Sequence, residues 1–353
     1  EAATTRGEDA LPLAFPKLAQ QLTDVRRIVV QDATHTTTLV RKDTGWVSET
    51  FGGYPADPAV VRQFLYSVTR LQEIEAKTRN AKLFERLGLM PIDTRGSRAT
   101  RVQLLDGQGK AVADYLQGDA PTAAGEKTSA ETQFYLLRTG EEQAWLVRAD
   151  RRADAEPAAW IAKDLINIDQ ERVRELTVTP PAGEALTVYR DTPLETAFKI
   201  KGLKADDAEK QKAAQPMADA LGSLFAFVRF EAVQPRKQVK LRGKPYRVHL
   251  VTFDGLSVWV DQYDVSTVGQ SGERKAWSVF RAATIPVTDE PADWQAQLKT
   301  DERALPLKTR ELVEAEAKTI NDLGRSWVVR LQEFKADRLR SAPKTLAGPA
   351  AEK

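Results

Sequence analysis

The sequence predicts an α+β protein made of two tandem duplicated modules, each an antiparallel sheet with a β-hairpin, a covering helix and a closing helix. Three observations carry this. Hydrophobic periodicity switches from two to helical and back, in the same order twice. Segments of the first half recur in the second: Val25-Arg26-Arg27-Ile28-Val29-Val30 returns as Val173-Arg174-Glu175-Leu176-Thr177-Val178, an offset of 148 residues. The length of 353 residues, at roughly 150 per domain, allows two bodies that each bury a core.

The elements follow in order. At the same offset Val40 meets Val188 and Lys42-Asp43-Thr44 meets Arg190-Asp191-Thr192, which closes the opening hairpin in each half. A helix comes next. Asp57-Pro58 starts the first one, an N-cap carboxylate followed by proline at the first helical position. Val61, Phe64, Leu65, Val68 and Leu71 then fall on one helical face. Met217, Leu221, Leu224, Phe225 and Val228 make the matching face in the second half, and the uncharged run Ala220 to Val228 reads as core helix. Ile74-Glu75-Ala76 and Phe230-Glu231-Ala232 read as the two helix ends, now offset by 156, with the polar run Lys204 to Lys212 as the insertion. Arg101-Val102-Gln103-Leu104 matches Arg247-Val248-His249-Leu250 as strands, each leading to an Asp-Gly turn at Asp106 and Asp254. Trp145-Leu146-Val147-Arg148 matches Trp327-Val328-Val329-Arg330, each followed by a short closing helix.

The expected organisation is therefore a leader over 1–21, a first module over 22–170 and a second over 171–340. The second module carries an extra helix at about 309–323, and a disordered tail fills 341–353. Asp119 to Glu131 is small and polar and reads as a long loop. The chain opens on Glu1 rather than Met, so the leader is expected to follow a removed membrane anchor.

Composition removes most chemistry. The chain has no Cys and two His, which excludes disulfide scaffolds, thiolate zinc sites, iron–sulfur clusters and cysteine nucleophiles. The balance of 52 basic and 50 acidic residues advertises no nucleic acid as a partner. There is no Gly-x-Ser-x-Gly elbow, and the glycines at 107 and 109 read as a turn rather than a phosphate cradle. His35, in a Thr-rich hairpin, and His249, along a strand, read as ordinary strand residues. No catalytic residue, cofactor site or metal site is expected.

Two features carry hypotheses. From Ala232 to Phe253 there are six basic residues, Arg236, Lys237, Lys240, Arg242, Lys244 and Arg247, and no acidic one. Lys240 and Arg242 alternate with Val239 and Leu241, so the solvent face of a strand is expected. That face either discourages edge pairing or contacts anionic headgroups or an acidic partner. The tryptophans at 46, 145, 259, 277 and 327 are expected to pack under the helices, with a carbohydrate platform as the lesser option. Tyr54-Pro55 is expected to fix the entry to the first helix.

Gly45-Trp46, Gly53-Tyr54-Pro55-Ala56-Asp57, Glu75-Ala76-Lys77-Thr78 and Leu87-Gly88 together resemble the bacterial domain-of-unknown-function 4340 family. So do Trp160 with Asp164-Leu165, and Trp327 with Lys335-Ala336-Asp337-Arg338-Leu339. The resemblance runs from about Leu11 to Leu339. It marks Gly53, Tyr54, Pro55 and Asp57 as a family-like turn and brings no catalytic residues. It implies a body on the periplasmic side of the cytoplasmic membrane, held by a single N-terminal anchor. The implied neighbours are an ABC-type permease, its ATPase and a gliding-motility-like auxiliary membrane protein. The expected function is that of a non-enzymatic accessory or interaction subunit working with an ABC-type transporter. A binding module for an envelope lipid or glycan is the alternative, and an uncharacterised hydrolase stands last.

Overall fold

Strands dominate the chain. The computed structural model describes residues 11–121, 132–162, 166–203, 208–266, 274–287 and 305–346. It divides into two units, Glu1–Ala162 and Lys163–Lys353.

The first unit holds β1 (Arg27–Gln31), β2 (Thr36–Lys42), β3 (Gly45–Ser48), β4 (Tyr54–Pro55), β5 (Gln72–Thr78), β6 (Thr100–Leu105), β7 (Ala111–Gln117), β8 (Thr132–Arg138) and β9 (Ala144–Ala149). They form one antiparallel sheet of nine strands in the order β4-β3-β2-β1-β6-β7-β8-β9-β5. Period-two alternation puts Ile28, Val30, Leu39, Val102, Leu104, Phe134 and Leu136 on one face, all buried. Helix α1 (Leu18–Gln21) and helix α2 (Pro58–Thr69) supply Leu18, Val61, Phe64 and Val68 to that core. Asp57 caps α2, its carboxylate accepting from the Ala59 and Val60 N–H groups.

The second unit holds β10 (Val173–Thr179), β11 (Leu186–Tyr189), β12 (Lys199–Ile200), β13 (Phe230–Pro235), β14 (Tyr246–Thr252), β15 (Leu256–Ser266), β16 (Arg274–Thr284) and β17 (Trp327–Leu331). Their order is β12-β11-β10-β14-β15-β16-β17-β13. Helices α3 (Ala208–Gly222), α4 (Arg310–Ser326) and α5 (Glu333–Leu346) accompany them. The turn after α3 and helix α5 cover the face of Leu176, Leu250, Val260 and Phe280. Phe225 meets Phe280 edge-on at 6.1 Å, and Gln262 Nε2 donates to the Ala336 carbonyl at 3.3 Å. Strands β1, β2, β5, β6, β7, β8 and β9 stand in their sheet where β10, β11, β13, β14, β15, β16 and β17 stand in theirs.

Helix α4 sits where the two sheets differ. β8 and β9 pair along six registers, whereas β16 and β17 pair only at Ser278 and Val329. The freed edge of β16 would be left with unpaired backbone groups. Asn321 of α4 fills the gap: its Oδ1 accepts from Ala282 N at 2.9 Å and its Nδ2 donates to Ala282 O at 2.8 Å. Gly324 permits the approach, since a methyl group there would fall 1.8 Å from the Phe280 oxygen.

Several expectations are corrected. The fold is mostly β, two large antiparallel sheets of nine and eight strands, and not a helix-covered α+β module repeated. The first unit has one α-helix longer than a turn, and in place of a closing helix it has the single 3-10 turn Pro157–Ala159 before Trp160. Ile74-Glu75-Ala76 and Phe230-Glu231-Ala232 are not helix ends but belong to β5 and β13, the far-edge strands pairing with β9 and β17. Helix α3 stops at Gly222, where a Cβ would strike the Phe198 ring, so Leu224, Phe225 and Val228 are buried from a turn instead. Residues 11–21 are no leader: Leu13 bridges to Gln72, and Ala14 and Leu18 are buried. Helix α5 continues through residues 341–346, part of the expected tail. The expected leader over 1–10, most of the loop ending at Glu131 and the tail from 347 lie outside the described residues.

Candidate functional site

The basic run of the second unit is a loop. Only its last member, Arg247, lies in a strand. A single 3-10 turn covers Arg236–Gln238, and the chain then crosses without a ladder until β14 begins at Tyr246. The strand expected at Val239 to Arg242 is thus corrected: Pro245 lacks a donor, and Gly243 takes a positive φ of 86°. The alternation survives for another reason. Val239 and Leu241 pack against Trp277, Val279 and Val328, a small cluster on the sheet face away from α5, which turns Lys240 and Arg242 outward.

All six cations are exposed, but they are not equivalent. Arg236 donates to the Gly324 carbonyl at 2.7 Å and so fastens the loop to the end of α4. Arg247 lies 3.5 Å from Asp261. Lys237, Lys240, Arg242 and Lys244 have no ion-pair partner among the described residues. A fixed apolar underside thus carries four charges without an ion-pair partner among the described residues.

The same sheet face holds a stacked row. His249 on β14 and Arg281 on β16 flank Trp259 on β15. The imidazole lies parallel to the indole at 4.8 Å and 4°, and the guanidinium sits 5.8 Å from its centroid. Both faces of Trp259 are occupied by neighbours, which argues against a stacking platform for sugar. Burial pushes the His249 imidazole below its ordinary value, against the opposing charge of Glu175, and its Nε2 lies 2.8 Å from Ser257 Oγ. Trp259 and Trp277 therefore do not pack under helices, whereas Trp46 and Trp145 do border the helix-covered core of the first unit.

The family-like turn is structural. Gly53 takes a φ of 91°, which orients Tyr54 into the core with no exposure. The Tyr54 hydroxyl donates to the Ala162 carbonyl at 3.3 Å, and burial raises its pKa. Asp57 N–H donates to the Trp160 carbonyl at 2.8 Å, and Trp160 meets Phe64 edge-on at 4.8 Å. Gly53, Tyr54, Pro55 and Asp57 lock α2 to β3 and to the end of the unit.

The closest approach to buried acid chemistry is Arg172. Its guanidinium, fully buried, spans Asp254 at 2.7 Å and Glu316 at 2.8 Å. Lys308 Nζ also reaches Glu316 at 3.0 Å, and the Lys308 N–H donates to Asp254 at 2.9 Å. Both carboxylates are consumed in tying α4 to the sheet. Among the described residues no group of three His, Asp or Glu is placed to hold a metal ion, and no helix is long and apolar enough to cross a membrane. His35 lies in the open between Glu156 at 3.0 Å and Asp32 at 3.7 Å.

Sequence reading missed a second basic crossing. The connection from β5 to β6 stands where the 236–245 loop stands in the other sheet, and it carries Arg79, Lys82, Arg86, Arg95 and Arg98 with Glu85 and Asp93. The interspersed acids hid it. It also missed a cleft of about 650 Å³ between β11–β12 and α3, lined by Tyr189, Phe198, Ile200, Leu203 and Gln215, because that stretch carries no motif that marks a concave site.

Comparison with curated proteins and with solved structures returned no match. A family model does match, that of the domain of unknown function DUF4340, over residues 46–243. The span begins at Trp46, takes in the Gly53–Asp57 turn and the loop through Gly243, and is narrower than the resemblance read from Leu11 to Leu339. It covers more than half of the 353 residues: the chain belongs to the DUF4340 family.

Proposed function

We propose that this protein works by contact rather than by chemistry, as a non-enzymatic accessory subunit on the extracytoplasmic face of the bacterial cytoplasmic membrane beside an ABC-type transporter. The contact surface is the 236–247 loop, and the partner surface is anionic. One observation carries this reading: four exposed cations, without counter-ions among the described residues, stand on an apolar underside that fixes the loop in place. Such charge steers association and sets its salt dependence. The transporter and the membrane side come from the family resemblance, and a subunit held at that membrane gains effective concentration from the shared surface.

The test reverses Lys240, Arg242 and Lys244 to Glu. The fold should persist, because exposed charges contribute little to stability. Retention on vesicles with 30% phosphatidylglycerol, or on an acidic partner, should fall at low salt, where screening is weakest. Retention equal to wild type at low ionic strength refutes the loop as the contact. Co-purification of the full-length protein with permease or auxiliary subunits in mild detergent tests the transporter, and repeated recovery without them ends that part of the reading.

A binding module for an envelope lipid or glycan is favoured by one observation, the cleft beside α3, whose volume suits a small ligand.

A further inference from the structure

We infer that the turn after α3 and the start of α5 form an interfacial anchor that inserts two phenylalanine rings into an anionic lipid surface. Phe227 carries it. It is the one residue other than glycine with a positive φ among the described residues, at 50°, and its side chain is 76% exposed. A phenylalanine resists that conformation, and an exposed ring gains nothing from water. Such an outlier persists only where its surroundings over-determine it.

They do so here. The Phe227 N–H donates to Asn167 Oδ1 at 2.8 Å, and the Phe225 carbonyl accepts from Ile168 N at 2.9 Å. Lys335 Nζ donates to the Leu224 and Ala226 carbonyls, each at 2.7 Å. Gln332 accepts from Arg229 N at 3.0 Å and donates to the Phe227 oxygen at 3.5 Å. Two separate segments, Asn167-Ile168 and Gln332–Lys335, hold one turn so that its apex ring faces outward. Phe334, 53% exposed, follows Gln332 by two residues, and Lys335 lies 5.6 Å from its centroid.

Charge decides what covers the pair. Arg338 lies over the Phe334 ring at 5.5 Å, and neither it nor the exposed Arg229 has a carboxylate partner among the described residues. The neighbouring acids are engaged: Glu231 with Arg330 at 3.3 Å, Glu333 with Arg340 at 3.0 Å, and Asp337 with Arg340. An anionic occupant is therefore complementary. Two rings, one on the turn and one at the start of α5, supply far less than the ~800 Å² per partner of a stable protein interface. They do suffice for an aromatic contact at headgroup depth, with cations beside the phosphates.

The inference does not rest on the 236–247 loop. The test uses the native absence of cysteine. Phe227→Cys, Phe334→Cys and, as a control on exposed α4, Leu312→Cys are labelled with an environment-sensitive dye. They are titrated with 7:3 phosphatidylcholine:phosphatidylglycerol vesicles. Emission should shift to the blue at 227 and 334 and stay unchanged at 312. In parallel, Phe227→Gly with Phe334→Ala should lower vesicle partitioning by about tenfold at both 50 and 300 mM salt. The glycine relieves the positive φ, so the fold is retained. Unshifted emission at 227, or partitioning equal to wild type, overturns the anchor. Binding that survives the phenylalanine variant but is lost on reversal of Lys240, Arg242 and Lys244 also overturns it and leaves the loop reading standing. The converse pattern supports the anchor and refutes the loop.

Discussion

Replacing Arg172 by methionine should be among the most damaging single changes in the second unit. The guanidinium donates to Asp254 at 2.7 and 3.2 Å and to Glu316 at 3.0 and 2.8 Å. The acceptor side chains are 3% and 12% exposed. Methionine fills most of the volume and removes the countercharge, leaving two carboxylates facing one another in a site that water hardly reaches. Lys308 still neutralises part of Glu316, while Asp254 keeps only neutral donors in Thr252 and the Lys308 N–H. Removing one partner of a buried ion pair costs about 3–5 kcal/mol. At roughly 2–4 °C per kcal/mol for a unit of this size, the melting transition should fall by about 6–20 °C. Calorimetry or urea unfolding reads this directly. Adding Asp254→Asn and Glu316→Gln should restore most of the loss at pH 7. A deficit below about 1 kcal/mol, or one that the Asp254→Asn and Glu316→Gln changes do not relieve, refutes the assignment of Arg172 as the charge that holds α4.

Asp57→Ala removes the acceptor of two N–H groups at the start of α2 and should cost about 1 kcal/mol in urea unfolding of the first unit. Asn321→Ala strands both backbone groups of Ala282 and should cost about 2–4 kcal/mol, with faster amide exchange along β16 as the local readout. Burial, with Arg338 adding, pushes Lys335 down from 10.5 to about 8. The unfolded chain then binds more protons between pH 8 and 10.5. Relative to Lys335→Met, wild-type stability should rise through that window by up to about 3 kcal/mol, and parallel urea midpoints would exclude it. Reversing Lys82 and Arg86 to Glu should change retention on anionic vesicles much less than reversing Lys240, Arg242 and Lys244, and an equal loss contradicts the choice of loop.

What the sequence disclosed and what it hid have physical explanations. Helix α2 was legible because its signals are local: a cap, a proline at the first position, and three apolar residues on one face. β5 was not. Gln72-Glu73-Ile74-Glu75-Ala76-Lys77-Thr78 has the composition of a helix end, yet it pairs with β9 through two register shifts. Charged side chains suit a sheet edge, where they block further pairing, so edge pairing overrode local preference. The end of α3 at Gly222 was concealed by a helical apolar pattern that continues to Val228. Arg172 was invisible because its partners lie 82 and 144 residues away. The charge of the 236–247 run was legible and its conformation was not, since alternation produced by packing on Trp277 imitates alternation produced by a strand.

The two matching crossings differ in how much of their charge is balanced nearby, and that difference is why the proposed contact falls on the second. Both carry an excess of base and both run from the far-edge strand back to the strand beside the hairpin. In the first, the 3-10 helix Ala81–Leu87 ends on Gly88 at a φ of 67°. Leu89 is buried, and Arg98 is held by Asp119 at 2.7 Å. Glu85 and Asp93 lie within the same loop, so its net charge is reduced, and at physiological salt, with a screening length of about 8 Å, its field is weaker a short way into solvent. The second loop has no acid along its length, and Asp261 faces Arg247. Its apolar residues face inward onto a packed cluster, so on contact the ordering cost falls on the side chains rather than on the loop backbone. Part of the charge in the first crossing is balanced within the fold, through Arg98 and Asp119 and the two acids of the loop. Lys237, Lys240, Arg242 and Lys244 of the second have no ion-pair partner among the described residues, and the proposed contact rests on that difference.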